Sequence, residues 1–147
     1  METTFVMIKP DAVMKGLIGE VIRRFEKKGL KLRAMKMVQL DRPLAERLYD
    51  IHKERPFFES LVTFVTSAPV VVMVWTGPDA ISVVRTLLGN TKAAEALPGT
   101  IRGDFGITTE KNIVHASDAP ERAEYEYGLF FKPEDLLKYD KITDPWL

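Results

Sequence analysis

Apolar residues fall into two rhythms along the chain, one of period two and one of period near 3.6. Thr3 to Lys9 is short, apolar and rich in β-favouring residues, and Pro10 ends it, which predicts a strand. From Leu17 to Lys28 the residues Leu17, Ile18, Val21, Ile22 and Phe25 lie three and four apart, one face of a helix that Gly29 stops. Lys31 to Leu40 alternates over its first half and predicts a partly exposed strand. Asp41 and Pro43 open a helical pattern carried by Leu44, Leu48 and Ile51, which Pro56 breaks. Phe57 to Val65 is helical in spacing again. Val70 to Trp75 is a continuous apolar run of strand length, as expected of a central buried strand. Gly77-Pro78-Asp79 then makes a turn that leads into a helix from Ala80 to Leu88.

Between Gly89 and Lys111 the periodicity fails, and a loop of that length in a small domain is usually functional. Asn112 to His115 reads as a short strand. Asp118 with Glu121 resembles a capping box, opening a helix that runs to about Phe131 with Pro120 in its first turn. The tail after Lys132 shows no clear element; docking is expected of it, since Trp146 and Leu147 would otherwise be exposed. Alternating strands and helices by themselves favour a parallel α/β sheet. No linker, repeat or low-complexity tract divides the chain, so residues 1–147 are read as a single domain.

The 147 residues suffice for one real core. Lys plus Arg equals Asp plus Glu at 21 each, so an anion site must be a local cluster, and neither a basic nucleic-acid binder nor an anionic-membrane binder is suggested. The absence of cysteine removes disulfides, thiolate nucleophiles and Cys-type zinc sites, and fits a cytoplasmic protein. No secretory signal pattern opens the chain, and Pro69 to Trp75 is far too short to span a bilayer.

Two histidines remain as candidates for chemistry. His52 lies in the charged run Asp50 to Arg55 and reads as a solvated surface residue. His115 ends an apolar strand just before a helix start, a place where α/β sites gather, yet position alone leaves a structural and a catalytic role equally open. An imidazole nucleophile needs its second nitrogen held by an acceptor. Glu126, eight residues into the following helix, is a candidate, with Ser117 assisting; Glu126 can equally be one of several acids on a helix surface. Lys9, Arg85 and Arg102 are each weak evidence singly and together offer three cations that can converge on a polyphosphate. Three glycines around Arg102 (Gly99, Gly103 and Gly106) would allow close backbone approach to a ligand, although the segment is neither a P-loop nor a dinucleotide fingerprint.

Taken in order, Ile8-Lys9-Pro10-Asp11, Arg55-Pro56-Phe57-Phe58, Gly99-Thr100-Ile101-Arg102-Gly103-Asp104-Phe105, Asn112-Ile113-Val114-His115-Ala116-Ser117-Asp118 and Glu126 resemble the nucleoside diphosphate kinases, from about Thr4 to Phe131. The resemblance implies an α+β, ferredoxin-like sandwich: a four-stranded antiparallel sheet with helices on one face, plus a long active-site loop, in place of the parallel sheet. It implies ping-pong transfer of the terminal phosphoryl group from nucleoside triphosphates to nucleoside diphosphates through a phosphohistidine at His115. Lys9 would hold the transferring phosphate beside Tyr49, with Arg85, Thr91 and Arg102 on the outer phosphates. Asn112 would bond the sugar and phosphate region, and Phe57, with Leu61 nearby, would stack on the base. Mg²⁺ would arrive on the nucleotide phosphates, with no metal ligands from the protein. Homo-oligomers, hexamers or less often tetramers, are implied, and no membrane or sequence-specific nucleic acid.

Three positions depart from the family pattern. Ala116 replaces the usual Gly after the histidine, Thr91-Lys92-Ala93 lacks a usual proline, and Ile51 stands where many members carry an acid. The competing readings are a catalytically weak nucleotide-binding regulatory module of the same fold, and a phosphorelay protein, for which Phe57 and the arginines would have no purpose.

Overall fold

A computed structural model describes residues 1–147. In chain order the elements are β1 (Glu2–Ile8), α1 (Pro10–Met14), α2 (Ile18–Lys28), β2 (Lys31–Val38), α3 (Arg42–Leu48), α4 (Phe58–Val65), β3 (Val70–Gly77), α5 (Ala80–Leu88), α6 (Ile101–Phe105), β4 (Val114–Ala116) and α7 (Pro120–Gly128). The strands form one sheet in the order β2-β3-β1-β4, with every neighbouring pair antiparallel. The parallel sheet expected from alternation is therefore not formed. β1 and β2 do run the same way, as a strand–helix–strand crossover requires, but β3 is inserted between them and opposes both.

Period two along β1 and β3 feeds a separate core on each face of this sheet. Val6, Ile8, Met73 and Trp75 pack against Val21 and Phe25 of α2 and Val84 and Leu88 of α5. Phe5, Met7, Val72 and Val74 pack against Leu48 of α3, Leu61 and Val65 of α4, and Phe130 and Phe131. Helices thus cover both faces, where the resemblance implied one. β3 lies between two strands and is buried almost throughout, which is why its sequence is continuously apolar.

Several expected boundaries move, each for a local reason. Asp41 caps α3 by accepting from the Leu44 amide at 2.9 Å, but the helix stops at Leu48 and a 3₁₀ turn, Asp50–His52, follows. Ile51 is consequently exposed, and the buried residue of this stretch is Tyr49. The loop from Gly89 to Lys111 holds a 3₁₀ turn, Ala93–Glu95, and α6, whose N-cap Thr100 accepts from Gly103 N at 3.0 Å. The glycines there serve the loop's own packing: a Cβ on Gly103 would lie 1.9 Å from the Leu97 carbonyl oxygen, and one on Gly106 2.8 Å from the Ala93 methyl. The Asp118–Glu121 capping box does not form. Ala119 is the N-cap, with no side-chain cap, and α7 ends at Gly128 so that Phe130 can stack on Phe5 at 5.4 Å.

The tail docks on β2, as expected, but through polar contacts. Leu137 N donates to Arg33 O at 3.1 Å, and Lys31 pairs with Asp144 at 2.9 Å. Trp146 stays 79% exposed, so burial of that ring is not what fixes the tail. No helix is long and apolar enough to cross a membrane.

Candidate active site

β4 pairs with β1 so that His115 faces Met7 and Val114 faces Ile8. That register brings the end of β1, and with it Lys9, against the residues just before His115. His115 Nε2 lies 2.8 Å from Glu126 Oε1, and Ser117 Oγ donates to the same oxygen at 2.8 Å. Burial pushes the Glu126 carboxyl up, but the charge and hydrogen bond of His115, the Ser117 hydroxyl and the Arg122 charge outweigh it and hold it below its usual range. An ionised carboxylate can only accept, so in the neutral ring Nε2 carries the proton and Nδ1 the lone pair. The Tyr49 ring stands edge-on to the imidazole at 5.4 Å and 76°, and Phe5 closes the far side at 6.0 Å.

Three cations surround this ring. Lys9 is almost fully buried; its Nζ donates to Asn112 Oδ1 at 2.8 Å and to Glu110 O at 3.2 Å. Burial, helped by the Arg102 charge, lowers its pKa to about 8. Arg102 donates Nε to Asn112 O at 3.2 Å, Nη1 to Gly89 O at 3.1 Å and Nη2 to Val114 O at 2.7 Å. Burial and then the Arg85 charge lower its pKa to about 10, which leaves it cationic at neutral pH. Arg85 spends one donor, Nη1, on Ala116 O at 3.2 Å.

The backbone between these groups is held in a rare form. Ile113 has φ 80 and is wholly buried, although β-branched residues avoid positive φ. Val114 N donates to Asn112 O at 2.9 Å across it, a γ-turn of the positive-φ kind. Every peptide group of the turn is engaged: Ile113 N donates to Asp11 Oδ2 at 3.0 Å, Ile113 O accepts from Lys9 N at 2.9 Å, and Arg102 takes the carbonyls on either side. Such over-determination is what allows strain to persist.

A cavity of about 450 Å³ opens over this cluster and is lined by Lys9, Tyr49, Phe57, Leu61, Arg85, Thr91, Arg102, Asn112, His115 and Glu126. Ser117 alone of the expected residues sits behind the wall, bonded to Glu126. A more open depression of about 610 Å³ beside Pro78 and Tyr127 is lined by Glu2, Asp79 and Glu124 and by no Lys, Arg or His side chain.

Against known proteins, the family model described as nucleoside diphosphate kinase matches residues 2–136. The chain belongs to the nucleoside diphosphate kinase family. A nucleoside diphosphate kinase of Archaeoglobus fulgidus is 55% identical over 147 residues, covering 100% of this chain and 97% of that protein. One from Carboxydothermus hydrogenoformans is 52% identical over 147 residues, covering 100% and 99%. Among solved structures, a nucleoside diphosphate kinase of Halobacterium salinarum in complex with CDP superposes with TM-score 0.95 at 46% identity, covering 99% of this chain and 97% of that one. A family protein from Babesia bovis gives TM-score 0.94 at 46% identity, covering 99% of both. The protein is accordingly a phosphotransferase, moving terminal phosphoryl groups between nucleoside triphosphates and diphosphates.

Within that kinase site, sequence reasoning missed three contributors. His52, taken for a solvated surface residue, lines the cavity with its ring 5.4 Å from Phe57 and 6.4 Å from Tyr49. The available signal was its place between Tyr49 and Phe57 in a stretch that Pro56 forces to turn. Asp11 appeared only as the end of the Lys9 motif, with no role given, and Arg122 not at all; Asp11 acts on Ile113, and Arg122 joins nearby Glu126 to the distant Leu48 and Asp50.

The lowered pKa of Lys9 sets a pH dependence. Its ammonium is present in the free enzyme below about pH 8 and is lost above it, so an alkaline limb of kcat/KM centred near pH 8 is expected. For stability the sign is opposite to a salt-bridged lysine: the unfolded chain binds the extra proton between about pH 8 and 10.5, so the cost of burying Lys9 is full below that window and relieved as pH rises through it. A kcat/KM profile of the Lys9→Arg variant, whose charge does not titrate there, should lose the limb. Retention of the limb would assign it elsewhere.

Proposed function

We propose that His115 Nδ1 is the atom that carries the phosphoryl group. The single observation behind this reading is the Nε2–Glu126 contact at 2.8 Å, which in the neutral ring leaves Nδ1 as the nitrogen with the lone pair, on a residue that lines a cation-bearing cavity. In the first half-reaction Nδ1 attacks the terminal phosphorus of a nucleoside triphosphate. The N–P bond forms, the bond to the bridging oxygen breaks, and the diphosphate leaves with that oxygen. In the second half, a terminal oxygen of another diphosphate attacks the same phosphorus and the N–P bond breaks. No proton moves at phosphorus in either direction, so one site serves both halves. Positive charge developing on the imidazole is met by the Glu126 carboxylate, already in place.

Lys9 lies nearest the transferring group, with Arg85, Thr91 and Arg102 on the outer phosphates and Asn112 on the sugar and phosphate region. Arg102 spends three of its five N–H donors on backbone carbonyls and keeps one on each terminal nitrogen for a phosphate oxygen, and Arg85 has more to spare. Phe57, 45% exposed at the mouth beside His52 and near Leu61, offers a face for any base. Stacking does not read base edges, so broad base tolerance follows. Mg²⁺ would be held by the nucleotide's own phosphates, offsetting their charge; no group of three or more potential protein ligands gathers in the chain. The exposed Met35 and Met37 on the edge strand β2 support assembly into a homo-oligomer, a hexamer or a tetramer. This reading sets the enzyme in the cytoplasm, where such nucleotides are the working pool.

A weak regulatory module would be missing a working part, and none is missing here. The test is to incubate the protein with γ-labelled ATP and Mg²⁺, remove the nucleotide and add an unlabelled diphosphate. An acid-labile, base-stable protein label that the diphosphate discharges is expected. A protein that binds the nucleotide and never takes label sinks the proposal.

A further inference from the structure

We propose that Arg122 is a positioning residue for phosphoryl transfer, fixing at once the acceptor and the wall that hold the His115 ring. This rests on the reading of His115 as nucleophile. Arg122 sits one helical turn before Glu126 on α7 and does not line the cavity. Its Nε and Nη2 donate to Glu126 Oε2 at 3.3 and 3.2 Å. The other oxygen, Oε1, takes His115 and Ser117. With both oxygens engaged, the carboxylate plane is set. Without Arg122, Oε1 keeps two contacts about which the group can swing, and the angle at which Nε2 is held becomes loose.

The same guanidinium reaches the opposite wall. Nη2 donates to Leu48 O at 3.2 Å and Nη1 to Asp50 Oδ1 at 3.1 Å. Leu48 and Asp50 flank Tyr49, whose ring stands edge-on to His115. One planar fork thus ties the acceptor of the imidazole to the backbone that presents its neighbour. The two arms differ in strength. Glu126 is 4% exposed and the Arg122 side chain 17%, so that pair is screened little, whereas Asp50 is 44% exposed and contributes less. Lysine cannot reproduce the arrangement, because its single ammonium cannot reach the carboxylate, the carbonyl and Asp50 with fixed directions.

A plain structural staple is the competing account, since the Arg122 guanidinium also lies 4.6 Å over the ring of Tyr125, which bonds Arg47 O at 2.7 Å and ties α7 to α3. Single-turnover labelling with γ-labelled ATP separates the two. Amplitude counts folded, competent sites, and rate reports how well the ring is aimed. For Arg122→Ala we expect full amplitude, nucleotide KM unchanged, and a labelling rate and kcat lower by about tenfold, the usual effect of removing a group that orients a reacting one. Arg122→Lys should recover part of the rate. A wild-type rate in Arg122→Ala overturns the proposal, and so does a lower amplitude with the rate unchanged. If Arg122→Ala folds poorly, Arg122→Lys alone decides: a wild-type labelling rate contradicts the positioning role. A wild-type protein that never labels would instead remove the His115 reading on which this stands.

Discussion

Replacing His115 with glutamine should lower turnover by about four orders of magnitude or more while leaving the fold intact, as expected when the nucleophile of a covalent mechanism is removed. Glutamine is the informative choice. Its amide can donate to Glu126 as Nε2–H does, so the buried carboxylate is not stranded and Ser117 and Arg122 keep their partner. The variant should bind nucleotide, melt near the wild-type midpoint and take no label. His115→Ala should lose turnover equally but melt lower, because the buried Glu126 Oε1 then loses the hydrogen bond from Nε2. Coupled-assay rates beside thermal melts check both statements. Substantial turnover in either variant would mean that the phosphoryl group travels by another route.

Arg102→Ala carries the second large effect, and it should appear in stability as well as rate. Three carbonyls, buried on Asn112 and Val114 and part-buried on Gly89, lose their guanidinium donors together. At roughly 1.5–3 kcal/mol for a hydrogen bond to a charged group, and allowing for relaxation and water entry, a loss of about 3 kcal/mol is expected. For a domain of this size that lowers the melting midpoint by about 10 °C. Turnover should fall by at least about tenfold even at low temperature, since the same carbonyls bracket the Ile113 turn that delivers His115 to the cavity. Arg102→Lys should not restore stability, because one ammonium cannot serve three carbonyls. A melting midpoint within a degree or two of wild type would show that the carbonyls find other donors.

The elements that were legible in sequence are those whose side chains meet one environment along their length. α5 was readable to the residue, Ala80–Leu88, because Ala80, Val84 and Leu88 all point at one core. β3 declared itself by being buried on both faces. Strand direction was not legible, because the hydrophobic pattern of β1 and β2 is the same whether they adjoin or have β3 between them. α6 escaped notice because one five-residue turn carries no period, although Thr100 marked its cap. In the site, Lys9 and His115 were visible as charged or polar residues closing apolar strands. Their meeting depends on the pairing of β1 with β4, which motif order suggested and spacing did not. The strain at Ile113 had no local sign, since nothing about an isoleucine before a valine marks positive φ; it exists because Asp11, Lys9 and Arg102 hold it from outside.

Which atom holds the phosphoryl group decides the mechanism. Heteronuclear NMR of the phosphorylated protein with isotope-labelled histidine reads this directly. Attack by Nδ1 predicts phosphorus–nitrogen coupling at Nδ1 of His115 with Nε2 still protonated against Glu126. Phosphate on Nε2 of His115, on His52 or on Ser117 would contradict it.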